Sequence, residues 1–301
     1  MRKSASFKFV ALIFALVFAV SMLSACGASN ETSPESNPSG STPSESTPSA
    51  STPEQEAALE GTITIVGSTS VQPLAEALAD EFSTANTGVK IDVQGGGSTT
   101  GVKAANDGTG DIGNSSRDLS AEEKGWGLTE HVIALDGIAV AVNPSNPVED
   151  LTKDQLVKIF KGEILNWKEV GGADKEILIV SREAGSGTRG AFEELLEIEE
   201  MVKADALVAE GTGAVMANVA SKDNAIGYIS LGSMDKTVKG VKIDGVEPTV
   251  ENIKAKTYII SRPFLMLTKG DLKPEVKAFI DFIMSDKGQE IVVNQKFISS
   301  K

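Results

Sequence analysis

The sequence predicts an α/β protein of two lobes, each built on a mostly parallel sheet, with a ligand cleft between them. Three observations predict it. From Gly61 onward, short β-branched runs alternate with segments whose apolar residues recur at helical spacing. Two apolar runs, His131 to Val142 and Thr257 to Leu267, are too long for ordinary strands of five or six residues. Four loops rich in glycine, serine and threonine stand between a strand and the following helix.

The elements follow in order. Thr62 to Val66 is a β-branched strand, Pro73 to Phe82 an amphipathic helix, Val89 to Val93 a second strand, and Gly101 begins a second helix. Asp111-Ile112-Gly113 opens a third strand unit, giving the βαβαβ order of a parallel sheet covered by helices. The first long run then carries the chain into a second α/β stretch. It has a helix near Lys153 to Phe160, a strand Ile177 to Val180, a helix Gly187 to Leu196 and a strand Ala225 to Ile229. The second long run returns it, and helices Pro274 to Met284 and Lys287 to Val293 complete the first lobe. Read as paired crossovers, the two runs divide the chain into lobe I, residues 61–138 with 262–301, and lobe II, residues 139–261.

Ahead of the lobes lies an export signal. Arg2, Lys3 and Lys8 precede an apolar run from Phe9 to Val20, short of the roughly 20 residues that span a bilayer. Residues 1–25 therefore read as a signal peptide. Leu23-Ser24-Ala25-Cys26 follows the bacterial lipobox pattern, and Cys26 is the single cysteine of 301 residues, so its thiol is expected to carry a lipid, palmitate among its acyl chains, at the outer face of the cell membrane. Residues 26–60 continue as a Ser/Thr/Pro/Glu tether with almost nothing apolar to bury. As a flexible coil it reaches on the order of 30 Å.

Composition excludes several functions. The formal charge is −14, and loss of a leader with three basic and no acidic residues takes it to −17, so nucleic acid is not a partner. With the one thiol lipidated and a single histidine, His131, there is no His/Cys metal cluster and no Cys-His pair. A Ser-His-Asp triad would have to use His131, which lies in none of the hydroxyl-rich loops. A surface phosphatase is thereby disfavoured, although carboxylates alone could hold a metal. No cofactor is expected, and the chain is read as a monomer rather than an enzyme subunit.

The four loops carry the chemistry. They are Gly67-Ser68-Thr69-Ser70, Gly95 to Gly101 (GGGSTTG), Asn114-Ser115-Ser116-Arg117 and Arg182 to Thr188 (REAGSGT). Such a loop at a helix N-terminus aims free N–H groups and hydroxyls at one spot, with the positive end of the helix dipole behind them. One loop of this kind signifies little, because Ser/Thr caps are common. Four at equivalent places in two lobes point to an oxyanion site. Nucleotide loops do not fit: Val102-Lys103 and Ala191-Phe192 stand where a phosphate-binding P-loop needs Lys-Ser/Thr.

These residues resemble the phosphate-binding proteins of the high-affinity phosphate ABC importer. The motifs are GSTSVQPL, QGGGSTTG, GDIGNSSR, SREAGSGTR and NAIGYISLG, in the family's order, and they span essentially everything after Gly61. The resemblance implies a two-lobed type II periplasmic-binding-protein fold closing on inorganic phosphate and passing it to membrane permease subunits. It places Thr69, Ser70, Ser98, Ser186, Gly187 and Thr188 on the phosphate oxygens, with Arg182 as principal cation, and Glu183 as one candidate to orient that arginine.

One departure from the family concerns selectivity. Well-known members carry an aspartate where this chain has Ser116, and that carboxylate accepts the proton of monohydrogen phosphate. A serine both accepts and donates, so it separates phosphate from sulfate or molybdate less sharply. Asp136 is the expected replacement. It lies within the first apolar crossover, where a lone carboxylate is costly, and is expected to accept the phosphate proton or to brace Arg182. Arg117 and Arg189 flank the loops, His131 is expected at a strand start, and Trp126 and Trp167 are expected to pack within the lobes.

Overall fold

The structure, a computed structural model, describes residues 58–301. The leader, Cys26 and the tether up to residue 57 lie outside the described residues.

The chain opens with the predicted βαβαβ unit: β1 (Gly61–Gly67), α1 (Gln72–Ala85), β2 (Val89–Gly95), α2 (Ser98–Asp107) and β3 (Ile112–Ser115). A short helix, α3 (Ala121–Lys124), precedes the long strand β4 (Thr129–Val142). The second stretch runs β5 (Asp150–Leu151), α4 (Lys153–Lys161), β6 (Leu178–Arg182), α5 (Gly187–Leu196), β7 (Leu207–Ala209), α6 (Thr212–Ser221) and β8 (Ala225–Ser230). Strands β9 (Lys239–Gly240) and β10 (Lys242–Ile243) and helix α7 (Val250–Lys254) lead to β11 (Ser261–Thr268). Helices α8 (Pro274–Ile283) and α9 (Asp286–Asn294) and strand β12 (Ile298–Ser299) close the chain.

One curled sheet runs through the molecule in the order β2-β1-β3-β11-β4-β8-β6-β7. Its outer triads, β2-β1-β3 and β8-β6-β7, are parallel, as the alternating pattern requires. Its middle is antiparallel, because β11 pairs against both β3 and β4, and β4 pairs against β8. Strand β4 serves both halves. Thr129 to Gly137 pair with β11, whereas Ile138 to Val142 pair with β8.

Two principal cores sit on either side of that change of partner. The first gathers Ile63, Ile65, Leu74, Phe82, Phe264 and Phe279, and α8 and α9 return to it through Val276, Ile283 and Val292. The second gathers Val140, Phe160, Phe192 and Tyr228, where Phe192 stacks on Tyr228 at 4.0 Å and Phe160 meets Phe192 edge-on at 4.8 Å. A small satellite of Val102, Leu119, Leu265 and Leu267 lies under α2. The fold is therefore two-lobed, and β4 is buried along its last seven residues, where it joins the second core.

The second apolar run differs from expectation. Only Ser261 onward is strand; Thr257 to Ile260 cross without ladder pairing. The Tyr258 hydroxyl, not a backbone N–H, donates to the Ile138 carbonyl at 3.0 Å, and Ile138 N–H donates to Ile260 at 2.9 Å. A side chain takes the acceptor that a further ladder bond would need. The two connections are thus one continuous strand and one irregular segment pinned to it.

Candidate functional site: a hydroxyl and arginine cradle between the lobes

Four helix N-termini meet where the lobes touch, two from each. In the first lobe β1 ends at Gly67 and the turn through Ser68, Thr69 and Ser70 enters α1, while β2 ends at Gly95 and Ser98 begins α2. In the second lobe Arg182 ends β6 and Ser186 caps α5, its hydroxyl accepting from Arg189 N–H at 3.2 Å. Thr212 begins α6 beyond Gly211. The predicted residues Ser70, Ser98, Ser116, Ser186 and Thr188 are all buried, although they are polar. Buried hydroxyls need partners, and here most find them in one another, while Ser186 takes the Arg189 N–H.

The contacts join the lobes directly. Ser70 Oγ lies 2.7 Å from Thr188 Oγ1 and 3.0 Å from Thr212 Oγ1. Thr69 Oγ1 lies 3.3 Å from Thr212 Oγ1 and accepts from Thr212 N–H at 3.2 Å. Thr99 N–H donates to the Gly185 carbonyl at 3.1 Å. Two glycines permit the approach. Gly97 has φ +85°, and a Cβ there would stand 2.9 Å from the Gly185 carbonyl oxygen. At Gly187 a Cβ would overlap Ser98 Oγ and stand 2.7 Å from Ser116 Oγ.

Ser116 is tied into the first-lobe side. Its N–H donates to Ser98 Oγ at 3.0 Å, and Ser68 Oγ donates to its Oγ at 2.8 Å. Ser68 Oγ in turn accepts from Ser70 N–H at 3.3 Å. Ser98 Oγ also lies 3.4 Å from Ser116 Oγ, where either oxygen can donate. A serine here can donate or accept, where the family's aspartate would only accept.

Arg182 supplies the charge. Its guanidinium is buried, and it donates from an N–H2 group to Thr69 Oγ1 at 3.1 Å. The outer edge of its fork grips Glu183, Nε to Oε2 at 2.8 Å and Nη2 to Oε1 at 2.7 Å. Glu183 also accepts from Gly211 N–H at 3.1 Å, so one carboxylate orients both the arginine and the start of α6. Burial pushes the Glu183 carboxyl up, but the Arg182 hydrogen bond and charge outweigh it and hold the group below the usual carboxylate range. Beneath Arg182, Tyr228 Oη lies 2.9 Å from Ser181 Oγ and accepts from Arg182 N–H at 3.3 Å. Burial pushes that phenol up to about 12.

Asp136 corrects an expectation. It is buried in β4, but it braces Arg262 rather than Arg182. Asp136 Oδ2 accepts from Arg262 Nε at 3.2 Å and Nη2 at 3.0 Å, and Oδ1 accepts from Ser230 Oγ at 2.9 Å. Both oxygens are thus engaged within the fold, one by Arg262 and the other by Ser230. The physical cause is register: Arg262 on β11 stands directly opposite Asp136 on β4. Burial pushes Asp136 up and Arg262 down, and each is pulled back by the other's charge.

Sequence reasoning passed over Ser68, Thr212 and Arg262. The signal for Thr212 is Glu210-Gly211-Thr212-Gly213, a fifth loop of the same composition as the first four. Arg262 has a weaker one, a lone arginine inside an apolar run, the mirror of the anomaly that singles out Asp136. The flanking arginines are paired: Arg117 with Glu123 at 2.7 Å, and Arg189 with Glu193 at 2.6 Å. His131 lies in β4 with Nε2 3.0 Å from Thr268 Oγ1, apart from the cradle residues. Trp167 is buried and donates from Nε1 to the Asn224 carbonyl at 2.9 Å, and Trp126 packs on the satellite core. Among the described residues no three His, Cys, Asp or Glu side chains gather as a metal site, and no helix is long and apolar enough to cross a membrane.

Comparison with known proteins places this cradle in a family. A PBP superfamily domain matches residues 52–287. Phosphate-binding protein PstS of Bacillus subtilis is 36% identical over 295 residues, covering 95% of this chain and 93% of the relative. PstS of Borreliella burgdorferi is 32% identical over 254 residues, covering 80% of this chain and 91% of the relative. Among solved structures, a phosphate ABC transporter substrate-binding protein from Clostridium perfringens, with bound phosphate, superposes at TM-score 0.79 with 46% identity, covering 80% of this chain and all of the other. An ABC-type phosphate transport receptor from Vibrio cholerae superposes at 0.67 with 39% identity, covering 79% of this chain and all of the other. The relatives are substrate-binding proteins rather than enzymes. With its matching domain, its two-lobed sheet and its paired helix N-termini, this chain belongs to the PstS phosphate-binding proteins of the PBP superfamily.

Proposed function

We propose that the chain is an extracytoplasmic receptor that takes inorganic phosphate between its lobes and delivers it to the permease subunits of an ABC importer, with no chemistry of its own. The observation that carries this reading is the convergence of Arg182 with hydroxyls and helix N-termini from both lobes. Thr69, Ser70, Ser98 and Ser116 would contact the oxygens from the first lobe. Ser186, Gly187, Thr188 and Arg182 would do so from the second, joined by Ser68 and Thr212. A guanidinium gives paired, charge-assisted hydrogen bonds to a tetrahedral anion, and the four helix N-termini add partial positive charge. These local donors act within a few ångströms, so a chain of net negative charge can still hold an anion there.

The lobes would open and close about β4 and the Thr257–Ile260 segment, with lobe I at residues 61–138 and 262–301 and lobe II at 139–261. A ligand touching both lobes stabilises the closed pairing. A lipid on Cys26, after removal of residues 1–25, would keep this monomer at the membrane, and the tether would give it reach to the permease.

Calorimetry of the mature chain with phosphate, sulfate and arsenate at two pH values tests the reading. Tight phosphate binding, with sulfate a much weaker competitor, is the expected result. Absence of binding to any of the three overturns it.

A further inference from the structure

Among the described residues, Arg262 is the one buried cation that the proposed function leaves unused. It is 4% exposed, its partner Asp136 is 1% exposed, and the pair lies across β11 and β4 one residue before the last β4–β11 pairing, after which β4 turns to β8. A buried ion pair is poor support for stability, because desolvating two charges can outweigh their attraction and apolar residues of like size often serve as well. Its hydrogen bonds show a different use. Arg262 spends Nε and Nη2 on Asp136, at 3.2 and 3.0 Å, and extends Nη1 to the Ser116 carbonyl at 3.0 Å. The Phe264 ring lies 5.4 Å from Cζ and limits the guanidinium on that side.

The far end of the pair reaches the other lobe. Ser230 is the last residue of β8, pairs with Ile138, and donates from Oγ to Asp136 Oδ1 at 2.9 Å. A continuous bonded path therefore runs from the Ser116 carbonyl through Arg262 and Asp136 to Ser230. It joins a first-lobe site loop, the two middle strands and the end of a second-lobe strand. At the loop end, Ser116 has its carbonyl held by Arg262 and its N–H held by Ser98. With both backbone groups held, the Cα–Cβ bond of Ser116 is held in place, and its Oγ lies 2.8 Å from Ser68 Oγ and 3.4 Å from Ser98 Oγ.

We propose that Arg262 is a positioning residue for the ligand site, holding the Ser116 loop from the crossover strands, with Asp136 neutralising it and Ser230 reporting the place of the second lobe. The inference rests on the reading of the cradle as a phosphate site. It assigns Arg262 no contact with the ligand. Its effect is on where Ser116 points, and so on how well the cradle separates oxyanions that carry a proton from those that do not.

The test compares wild type, Arg262→Lys, and the neutral pair Arg262→Gln with Asp136→Asn, each as the mature chain. Phosphate and sulfate affinities are measured by calorimetry, and folding by thermal unfolding. Lysine keeps the charge but has no planar fork to hold Asp136 and Ser116 together. Loss of one charge-assisted bond at Ser116 should weaken phosphate about tenfold in both variants, and the phosphate-to-sulfate ratio should shift while unfolding stays cooperative. A purely structural pair would lower the melting temperature and leave that ratio unchanged. Wild-type affinity and ratio in either folded variant overturn the proposal; if Arg262→Lys does not fold, the neutral pair decides. Failure of wild type to bind phosphate is a separate result, and it removes the phosphate reading itself.

Discussion

Gly187→Ala tests the geometry of the cradle most directly. The added Cβ would overlap Ser98 Oγ and stand 2.8 Å from Ser98 Cβ, and neither can step aside because Ser98 Oγ is committed to Ser116 N–H. Carbon atoms rest at about 3.5–4.0 Å, so the lobes must retreat by roughly 1 Å. That retreat stretches three cross-lobe bonds: Ser70 to Thr188 at 2.7 Å, Ser70 to Thr212 at 3.0 Å, and Thr99 to Gly185 at 3.1 Å. At about 0.5–1.5 kcal/mol each, the touching arrangement loses roughly 1.5–4.5 kcal/mol. Phosphate affinity should fall at least ~10-fold by calorimetry, since each 1.4 kcal/mol is a factor of ten. Unfolding should stay cooperative, which separates a loss of binding from a loss of the fold. Gly213→Ala is the control, since nothing lies within 4 Å of its Cβ position, and it should bind as wild type does. Phosphate affinity within twofold of wild type for Gly187→Ala would refute the reasoning.

Two further outcomes follow from the same geometry, and a third from the proposed anchor. Glu183 is held below the ordinary carboxylate range, so its stabilising contribution is complete above about pH 4.3 and is lost as pH falls through the lower folded value. The melting-temperature gap between wild type and Glu183→Gln should therefore be widest at neutral pH and close in acid; a gap independent of pH contradicts the assignment. Ser116→Asp replaces a hydroxyl that both donates and accepts with a carboxylate that only accepts, so phosphate should gain over sulfate in competition, and an unchanged ratio would show that Ser116 does not face the ligand. Cys26→Ala should shift the protein from the membrane fraction to the medium, and retention at the membrane would exclude the lipid as its anchor.

Much of the site was legible because its chemistry is local. A strand, a glycine-rich turn and a helix are written in consecutive residues, so Ser186 ahead of α5 could be placed from spacing, whereas α2 starts at Ser98, three residues before the expected Gly101. The loop at Gly211-Thr212 obeys the same rule but is short and flanked by a three-residue strand, too weak a period to stand out. Asp136 was legible as an anomaly and illegible as a contact. A charge in an apolar run announces a partner, but which partner depends on the register of β4 against β11, and 126 residues separate Asp136 from Arg262. The irregular crossing at Thr257 to Ile260 was hidden for a similar reason, since its ladder is interrupted by a tyrosine hydroxyl meeting a distant carbonyl.

By itself the sequence determined the α/β alternation, the two long central runs, the oxyanion character of the loops and the expectation of an anchor at Cys26. These depend on periodicity, composition and short motifs, all of which are properties of neighbouring residues. Only the tertiary structure decided that Ser68 donates to Ser116, that Glu183 rather than Asp136 orients Arg182, and that Asp136 belongs to Arg262. Those choices are made by strand register and by the approach of one lobe to the other at Gly187, which bring together groups that no local rule of the chain relates.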